Sequence, residues 1–338
     1  MKNIVFPSSS FNMGVVSSRV SSPKLPLPPS KDVGGKVLLI TNADTGLGRE
    51  AARHALNLGA TVILGVRSAI QGEKTKIEIS QGCVGGSVYV WPVDFESFAS
   101  VQAFAARVKK YVDDGGRIDF SIINSGVASP DWVTATDRWE RALQANVLST
   151  ALLSLELLPL LVHSKEEQPW SKPSLTIVAS DIHKTAHFRE RKSDNILSAL
   201  NNQEQWKTSQ SHGGATERFA VTKLLDIYLA KEIAQIVPRK ENGDPLVVVN
   251  SVAPGYTEPW ITDVVKSAGT RTVDEAAKTL LHAATQGVES HGAWLENMAI
   301  GESGGIVSDP DQVTVREKVW AEIVAVLKGI EPELRTKY

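Results

Sequence analysis

The chain has little of several features that mark particular classes of protein. It holds one cysteine, Cys83, among 338 residues, which excludes an intramolecular disulfide and fits a reducing compartment. Its 36 basic and 38 acidic residues give a formal net charge of -2, so charge offers no case for a nucleic-acid partner. No apolar run reaches the roughly 20 residues of a membrane span, and the longest, at residues 151–162, contains Glu156. We therefore expect a cytoplasmic protein without a membrane span.

The N-terminal segment lacks acidic residues before Asp32 and is rich in serine and proline. Its apolar stretches are too brief for the core of a secretory signal. Two interpretations remain, an organelle transit peptide or a disordered tail. We predict a flexible tail over residues 1–32 and a single folded domain over residues 33–338.

Beyond Lys36, short β-branched runs alternate with longer segments of helical periodicity. The pattern predicts strands at residues 37–41, 61–66, 87–91, 118–123, 175–180 and 246–252. It predicts helices at residues 49–58, 70–81, 97–112, 137–162 and 219–237. This alternation is typical of the α/β class, as one doubly wound parallel sheet (a Rossmann fold) with helices on both faces. The polar segment 183–216 interrupts the rhythm and is predicted to be an insertion over the carboxyl edge of the sheet.

Two glycines, Gly46 and Gly48, lie between the first predicted strand and the first predicted helix. Glycines there permit a tight turn and a close approach of a pyrophosphate to the N-terminus of the helix. A Gly-x-Gly alone is explained equally well by a structural turn. Its position directly after a first strand favours a dinucleotide site.

The stretch from Thr41 to Gly48 resembles the Thr-Gly-x-x-x-Gly-x-Gly loop of the short-chain dehydrogenase/reductase family, with Asn42 in place of the first glycine. Asparagine tolerates left-handed backbone better than most residues, so we expect the loop to form. Further matches to the family's pattern run along the chain at Asp94, Asn124, Gly126, Asn146, Ser180, Pro254 and Gly255. Nearly all of the chain from about residue 33 resembles the family, in particular a retinol dehydrogenase-like subgroup typical of fungal secondary-metabolism reductases.

The resemblance assigns cofactor contacts to residues in the turn, at the ends of the strands and on one helix: Asn42, Thr45, Gly46, Leu47, Gly48, Arg67, Asp94, Asn124, Gly126, Lys223, Pro254 and Gly255. Arg67 bears on the choice between NAD and NADP. An NAD enzyme usually ends its second strand with a carboxylate for the ribose hydroxyls. Arg67 instead offers a planar fork to a 2′-phosphate, although it can also be read as a solvated arginine at a helix start. We expect NADP(H), with Asp44 as a counter-signal, and no metal.

The family's catalytic set consists of Tyr, Lys, Ser and Asn, and it maps onto Phe219, Lys223, Ser180 and Asn146. In the family, Tyr exchanges a proton with the substrate, Lys binds the nicotinamide ribose, Ser orients the substrate oxygen and Asn holds a water. Phe219 cannot give or take a proton, and loss of a positioned general acid typically costs about 10²–10⁴ in rate.

Substitute proton donors are considered at Ser180, Asp181, His183 and Tyr256. An isolated serine hydroxyl is a poor acid, and Asp181 serves only if burial raises its pKa. For His183 a pocket or structural role is the stronger reading, and for Tyr256 simple packing is.

The primary hypothesis is an NADP(H)-dependent oxidoreductase acting on a carbonyl or secondary alcohol of a lipophilic metabolite, impaired or compensated at Phe219. Four tryptophans near the expected substrate entrance fit a bulky apolar substrate, namely Trp132, Trp139, Trp206 and Trp260. The alternative is a redox-inactive protein on the same scaffold, either an isomerase, cyclase or dehydratase or a regulatory NADP-binding protein. A homo-oligomer is compatible with both.

Overall fold

The computed structural model describes residues 25–83, 85–209, 214–255, 271–309 and 311–337. Residues 1–24 of the predicted tail lie outside this set. The rest of that tail packs onto the domain: Leu25 is buried and a short helix, α1, spans Ser30–Val33. Burial of Leu25 and Val33 attaches this segment, so the packed part of the chain begins before residue 33.

The core is an eight-stranded sheet in the order β3-β2-β1-β4-β5-β6-β7-β8. Its strands are β1 (Val37–Thr41), β2 (Thr61–Val66), β3 (Val88–Pro92), β4 (Phe120–Ile123), β5 (Ser174–Val178), β6 (Val248–Val252), β7 (Trp294–Glu296) and β8 (Ala299–Ile300). All neighbouring strands pair in parallel except β7 and β8. The central strands are buried on both faces, which is why they read as continuous apolar runs. The prediction of a doubly wound parallel sheet is confirmed.

Helices cover both faces of the sheet. They are α2 (Gly46–Asn57), α3 (Ala69–Ser80), α4 (Phe98–Asp113), α5 (Ser149–Glu167), α6 (Ile196–Leu200), α7 (Gln203–Ser209), α8 (Gly214–Ile236), α9 (Val273–Ala284) and α10 (Gln312–Ile330). One apolar cluster joins α4, α5, α8 and α10 to the sheet. A second joins α2, α3 and α9 to the opposite face.

A π-helical turn, Leu143–Leu148, runs directly into α5. The combined helix, Leu143–Glu167, is long and apolar enough to cross a membrane by length and composition alone. However, 89% of its most apolar window is buried inside the protein. We conclude that it is a core helix of the domain.

The segment between β5 and α8 consists of short helical pieces. It begins with the 3-10 turn Asp181–Thr185, continues through a second at Arg189–Lys192, and ends in α6 and α7. α6 packs against α10, and Glu322 of α10 accepts hydrogen bonds from the backbone amides of Ile196 and Leu197. The predicted insertion is thus attached to the C-terminal helix.

Candidate active site and cofactor groove

The turn between β1 and α2 has the shape that a bound pyrophosphate needs. Asn42 and Gly46 both adopt left-handed backbone, with φ of 51° and 54°, so asparagine does replace the first glycine conformationally. A Cβ at Gly48 would lie 2.4 Å from the carbonyl oxygen of Asn42 and 2.9 Å from Nδ2 of Asn124, so only glycine fits. Thr45 precedes the helix without capping it through its side chain. The first amides of α2, beginning at Leu47, can therefore face an anion.

The adenosine end of the predicted groove is lined by charged side chains. A cavity of about 90 Å³ lies between Asn42, Arg67, Asp94, Glu96 and Gly126, among others. Arg67 donates from Nη1 to Glu96 Oε1 at 3.1 Å and lies 3.3 Å from Asp94 Oδ2. The Arg67 side chain is 63% exposed. Arg67, the residue predicted to bind the 2′-phosphate, is thus already paired with two carboxylates.

Glu96 was missed by sequence reasoning. Its carboxylate bridges Arg67 and Arg141, whose Nε donates to Oε2 at 3.0 Å, and its backbone amide donates to Asp94 Oδ1 at 2.9 Å. The partner Arg141 lies 45 positions along the chain, so spacing alone could not reveal the pair. Glu96 therefore sets the charge balance at this end of the groove.

The loop after β4 joins the glycine turn to the catalytic positions. Asn124 donates from its backbone amide to Thr41 Oγ1 at 2.9 Å and from Nδ2 to the Thr41 carbonyl at 3.3 Å. This ties the end of β4 to the end of β1. Gly126 follows, and a Cβ there would lie 4.0 Å from Nζ of Lys223. The lysine predicted to bind the ribose thus reaches the wall of the groove.

Lys223 lies on α8, and its ammonium group is almost fully enclosed, with 3% of the side chain exposed. Nζ donates to the carbonyl of Ser125 at 2.7 Å, to the carbonyl of Val178 at 2.9 Å and to Asp226 Oδ2 at 2.8 Å. An ammonium group has three donors, so these bonds use all of them. The lysine links the groove loop, the end of β5 and its own helix.

Asp226 is a second residue that sequence reasoning missed. Its carboxyl is 1% exposed, and burial raises its pKa to about 7, against the opposing effect of Lys223. The only sequence signal is an acid three residues after Lys223 on an otherwise apolar helix, which is also the pattern of an ordinary helical ion pair.

Asn146 lies in the π-helical turn and makes a reciprocal pair of bonds with a backbone. Its Oδ1 accepts from the amide of Val127 at 2.8 Å, and its Nδ2 donates to the carbonyl of Val127 at 2.9 Å and to Thr222 Oγ1 at 3.0 Å. Single π-turns inside helices recur at functional sites. Here the turn holds Asn146 between the groove loop and α8. Its partner on α8, Thr222, directly precedes Lys223.

Ser180 follows β5 and starts the 3-10 turn, with Oγ accepting from the amide of Ile182 at 3.3 Å. His183 is fully buried, and its ring nitrogens lie 2.6 Å from the carbonyls of Ser180 and Ser303. Burial, the largest cause, lowers the pKa of His183. This enclosed histidine holds the Ser180 backbone, which fits the structural role weighed for it.

Phe219 is half-buried and lies one helical turn before Lys223 on α8. Nζ of Lys223 is 5.7 Å from the centroid of its ring. The two predicted catalytic positions therefore face the same region, as helical spacing requires. The ring contributes an apolar surface and a weak cation–π contact, but no proton.

The far end of β6 carries Pro254 and Gly255. Arg271 donates to the Pro254 carbonyl at 3.1 Å. Gly255 has a φ of 83°, and a Cβ at this position would lie 2.9 Å from Nη1 of the same guanidinium. Tyr256 and Trp260, named above as a candidate proton donor and a candidate substrate contact, lie outside the described residues.

Two of the other tryptophans meet each other. Trp132 and Trp206 form an edge-to-face pair with centroids 6.1 Å apart, which joins the loop after β4 to α7. Trp139 instead packs against the apolar cluster shared with α10 and lines a groove beside Leu197.

Comparison with known proteins gives a consistent picture. Residues 36–168 match the family model for short chain dehydrogenases. The short chain dehydrogenase atnD of Emericella nidulans is 36% identical over 306 residues, which cover 86% of this chain and 92% of the relative. The short chain dehydrogenase/reductase dmxR8 of a Cryptosporiopsis species is 31% identical, over 92% of this chain and 96% of the relative.

The chain belongs to the short-chain dehydrogenase/reductase family. Solved structures share the fold: a short-chain type dehydrogenase/reductase from Mycobacterium marinum superposes with a TM-score of 0.58 at 20% identity, over 82% of this chain and 97% of the other. A 3-ketoacyl-(acyl-carrier-protein) reductase from Brucella melitensis, complexed with NADH, gives a TM-score of 0.57 at 18% identity, over 78% and 96%. Family membership supports oxidoreductase activity with a nicotinamide cofactor.

Proposed function

We propose that this short-chain dehydrogenase/reductase uses NADP(H) to interconvert a carbonyl and a secondary alcohol on a lipophilic metabolite, as in fungal secondary metabolism. The observation that carries the proposal is the position of Lys223. Its ammonium touches the loop after β4 through Ser125 and the end of β5 through Val178, two residues before Ser180. One cation therefore links the groove loop to the end of the strand that leads to Ser180, the serine expected to orient the substrate.

The residues present fit a nicotinamide dinucleotide. The tight approach at Gly48 and the exposed amides of α2 suit a pyrophosphate. Arg67 is exposed and planar, and it can exchange its bonds to Asp94 and Glu96 for bonds to a 2′-phosphate. The cofactor, when bound, supplies or accepts the hydride.

The side chains around the reacting carbon have separate tasks. Ser180 Oγ accepts only one amide bond at 3.3 Å among the described residues, which leaves its proton for the substrate oxygen. Lys223 holds positive charge at the groove wall, and Asn146 fixes the loop at Val127. Phe219 leaves the substrate oxygen without a positioned phenol. The proton then comes from water, and turnover is slower than with a tyrosine.

A bulky apolar substrate is supported by the edge-to-face pair of Trp132 and Trp206. Together with the ring of Phe219, it places aromatic surface on the loop after β4, on α7 and on α8. Aromatic side chains with a few polar groups are typical of sites that bind lipophilic ligands.

A titration with NADPH and NADH, followed by an NADPH-oxidation assay on a broad panel of apolar ketones and aldehydes, tests the proposal. We expect tight binding of NADPH, weaker binding of NADH, and slow oxidation coupled to an alcohol product. Failure of both cofactors to bind would contradict the proposal, as would binding without any product on the panel or on extracts of the source.

A second candidate is an NADP-binding protein without hydride transfer. The specific observation in its favour is that Phe219 removes the proton donor while all three donors of Lys223 are already used inside the protein. Tight NADPH binding with no oxidation, or conversion of a substrate by isomerisation or loss of water, would favour this candidate.

A further inference from the structure

The ion pair between Lys223 and Asp226 is deeply enclosed and lies beside the proposed cofactor groove. Both side chains lie on α8, three residues apart, with exposed fractions of 3% and 1%. Asp226 Oδ2 accepts from Lys223 Nζ at 2.8 Å, whereas Oδ1 has no hydrogen-bond partner among the described residues. A buried carboxylate oxygen without a donor is costly, so something must offset that cost.

Among the described residues, one carboxylate balances the charge of the lysine. Two of its three acceptors are the neutral carbonyls of Ser125 and Val178, and the third is the carboxylate of Asp226. With Asp226 ionised, the pair carries no net charge. With Asp226 protonated, the groove wall beside Gly126 carries a full positive charge. The raised pKa of Asp226, about 7, brings both states within reach near neutral pH.

The two forms of a nicotinamide cofactor differ by one positive charge on the ring. We propose that Asp226 is a positioning residue that favours the oxidised cofactor, because its carboxylate cancels the Lys223 charge that would otherwise repel the oxidised ring. This inference rests on the proposed function and on the family resemblance, which implies that Lys223 lies beside the nicotinamide ribose. The unpartnered Oδ1 is explained by the same role, since the carboxylate is kept for its charge.

A linked proton movement follows. Binding of NADP+ favours ionised Asp226 and releases a proton, whereas binding of NADPH does not. Other titratable groups on the elements packed against α8 are Asp181, His183 and Lys184 on the 3-10 turn, Glu204 and Lys207 on α7, and Arg316, Glu317, Lys318, Glu322 and Lys328 on α10. Lys223 is the charge that acts on Asp226 directly.

Asp226→Asn separates charge from shape. The amide oxygen of asparagine can still accept from Lys223, so the lysine keeps three acceptors while its counter-charge is lost. We expect the ratio of the Kd for NADP+ to the Kd for NADPH to rise on the order of tenfold. The Kd for NADPH comes from its fluorescence, and the Kd for NADP+ from its competition with NADPH.

The matched control is Glu232→Gln. Glu232 is also buried on α8, and it pairs with Arg316 of α10 rather than with Lys223. The Glu232→Gln substitution removes one buried carboxylate from the same helix, farther along α8 than Asp226. The ratio of the Kd for NADP+ to the Kd for NADPH should therefore stay at the wild-type value. A purely structural role for Asp226 would weaken both cofactors alike and leave the ratio unchanged, which would overturn the inference.

Wild-type protein provides a test that needs no folded variant. Calorimetric titrations at neutral pH in two buffers of different ionisation enthalpy give the protons released with each cofactor. We expect more release with NADP+ than with NADPH, and the 2′-phosphate cancels in that difference. Equal proton release overturns the inference. Absence of binding by both cofactors instead contradicts the proposed function.

Discussion

Each end of the proposed cofactor groove holds a cation, paired with two carboxylates at the adenosine end and with one at the nicotinamide end, in opposite surroundings. At the adenosine end, Arg67 is 63% exposed and bonds Asp94 and Glu96 at 3.1–3.3 Å. At the nicotinamide end, Lys223 and Asp226 are 3% and 1% exposed. Exposed ion pairs contribute about 0–1 kcal/mol, whereas breaking a buried one costs about 3–5 kcal/mol.

This difference indicates separate roles. Arg67 can release its carboxylates at little cost when a phosphate arrives, which suits a recognition site. Lys223 cannot change partners cheaply, so its position is fixed before any ligand binds. The groove thus combines an adaptable end with a preorganised one, and only the preorganised end lacks the expected group, at Phe219.

The largest expected effect lies at the preorganised end. Phe219→Tyr restores a phenol one helical turn from Lys223, and we expect turnover to rise by about 10²–10⁴ with the Kd for NADPH unchanged. Steady-state NADPH oxidation and a fluorescence titration measure the two quantities. A Phe219→Leu variant, which offers no proton, serves as the control. An unchanged rate in the tyrosine variant would mean that the proton has another positioned source.

A smaller effect is expected at the turn between β1 and α2, which is the proposed pyrophosphate site. Gly48→Ala places a Cβ 2.4 Å from the carbonyl oxygen of Asn42, which forces the turn apart. Overpacking of this kind costs about 1–3 kcal/mol, so the Kd for NADPH and NADH should rise together. Gly329→Ala on α10, where a Cβ meets nothing within 4 Å, is the matched control. Full affinity in Gly48→Ala would argue against a phosphate at this turn.

At the adaptable end we expect about a tenfold effect confined to one cofactor. Arg67→Met removes a charge-assisted bond of about 1.5–3 kcal/mol, part of which its exposure cancels. The Kd for NADPH should therefore rise while that for NADH stays constant. Glu96→Gln is the companion variant, since it releases Arg67 and should tighten NADPH slightly. Equal losses for both cofactors would remove Arg67 from 2′-phosphate recognition.

The smallest expected effect concerns stability. Burial raises the pKa of Asp226 from 3.8 to about 7, so between about pH 4 and pH 7 the folded protein binds a proton that the unfolded chain does not. The stabilisation that this carboxyl contributes to the folded protein is fully present below about pH 4 and is lost as the pH rises to about 7.

Asparagine at position 226 cannot titrate. As the pH rises, the free energy of unfolding of Asp226→Asn should therefore increase relative to that of the wild type, by at most about 1.4 kcal/mol per pH unit. Denaturant unfolding of both chains at several pH values in the window measures the difference. A constant difference would show that Asp226 does not titrate there.

The strands were predictable because buried parallel strands are short continuous apolar runs. β1 and β2 have the predicted bounds, and β6 begins two residues later than predicted, at Val248. The last two strands were not predictable, since β7 and β8 span three and two residues, too few for a period. The helix α9 was missed because its buried face is mostly alanine, including Ala276, Ala277 and Ala283.

The candidate site divides in the same way. Motif residues such as Gly48 and Lys223 could be proposed from the resemblance, because a glycine turn and a helix spacing are local features of the sequence. The pairing of Glu96 with Arg67 and Arg141 depends on loops brought together by the fold. The burial of Asp226 depends on packing around α8. Neither the pairing of Glu96 nor the burial of Asp226 can be read from a short stretch of the sequence.

The most direct test is transfer of label from NADPH deuterated at the hydride position to product, by the wild type and by Phe219→Tyr under identical conditions. We predict deuterium in the alcohol carbon from both chains, slow in the wild type and faster in the variant, with equal binding of NADPH. Tight binding of NADPH by both chains without label in any product would contradict the account of a reductase scaffold that lacks one proton donor.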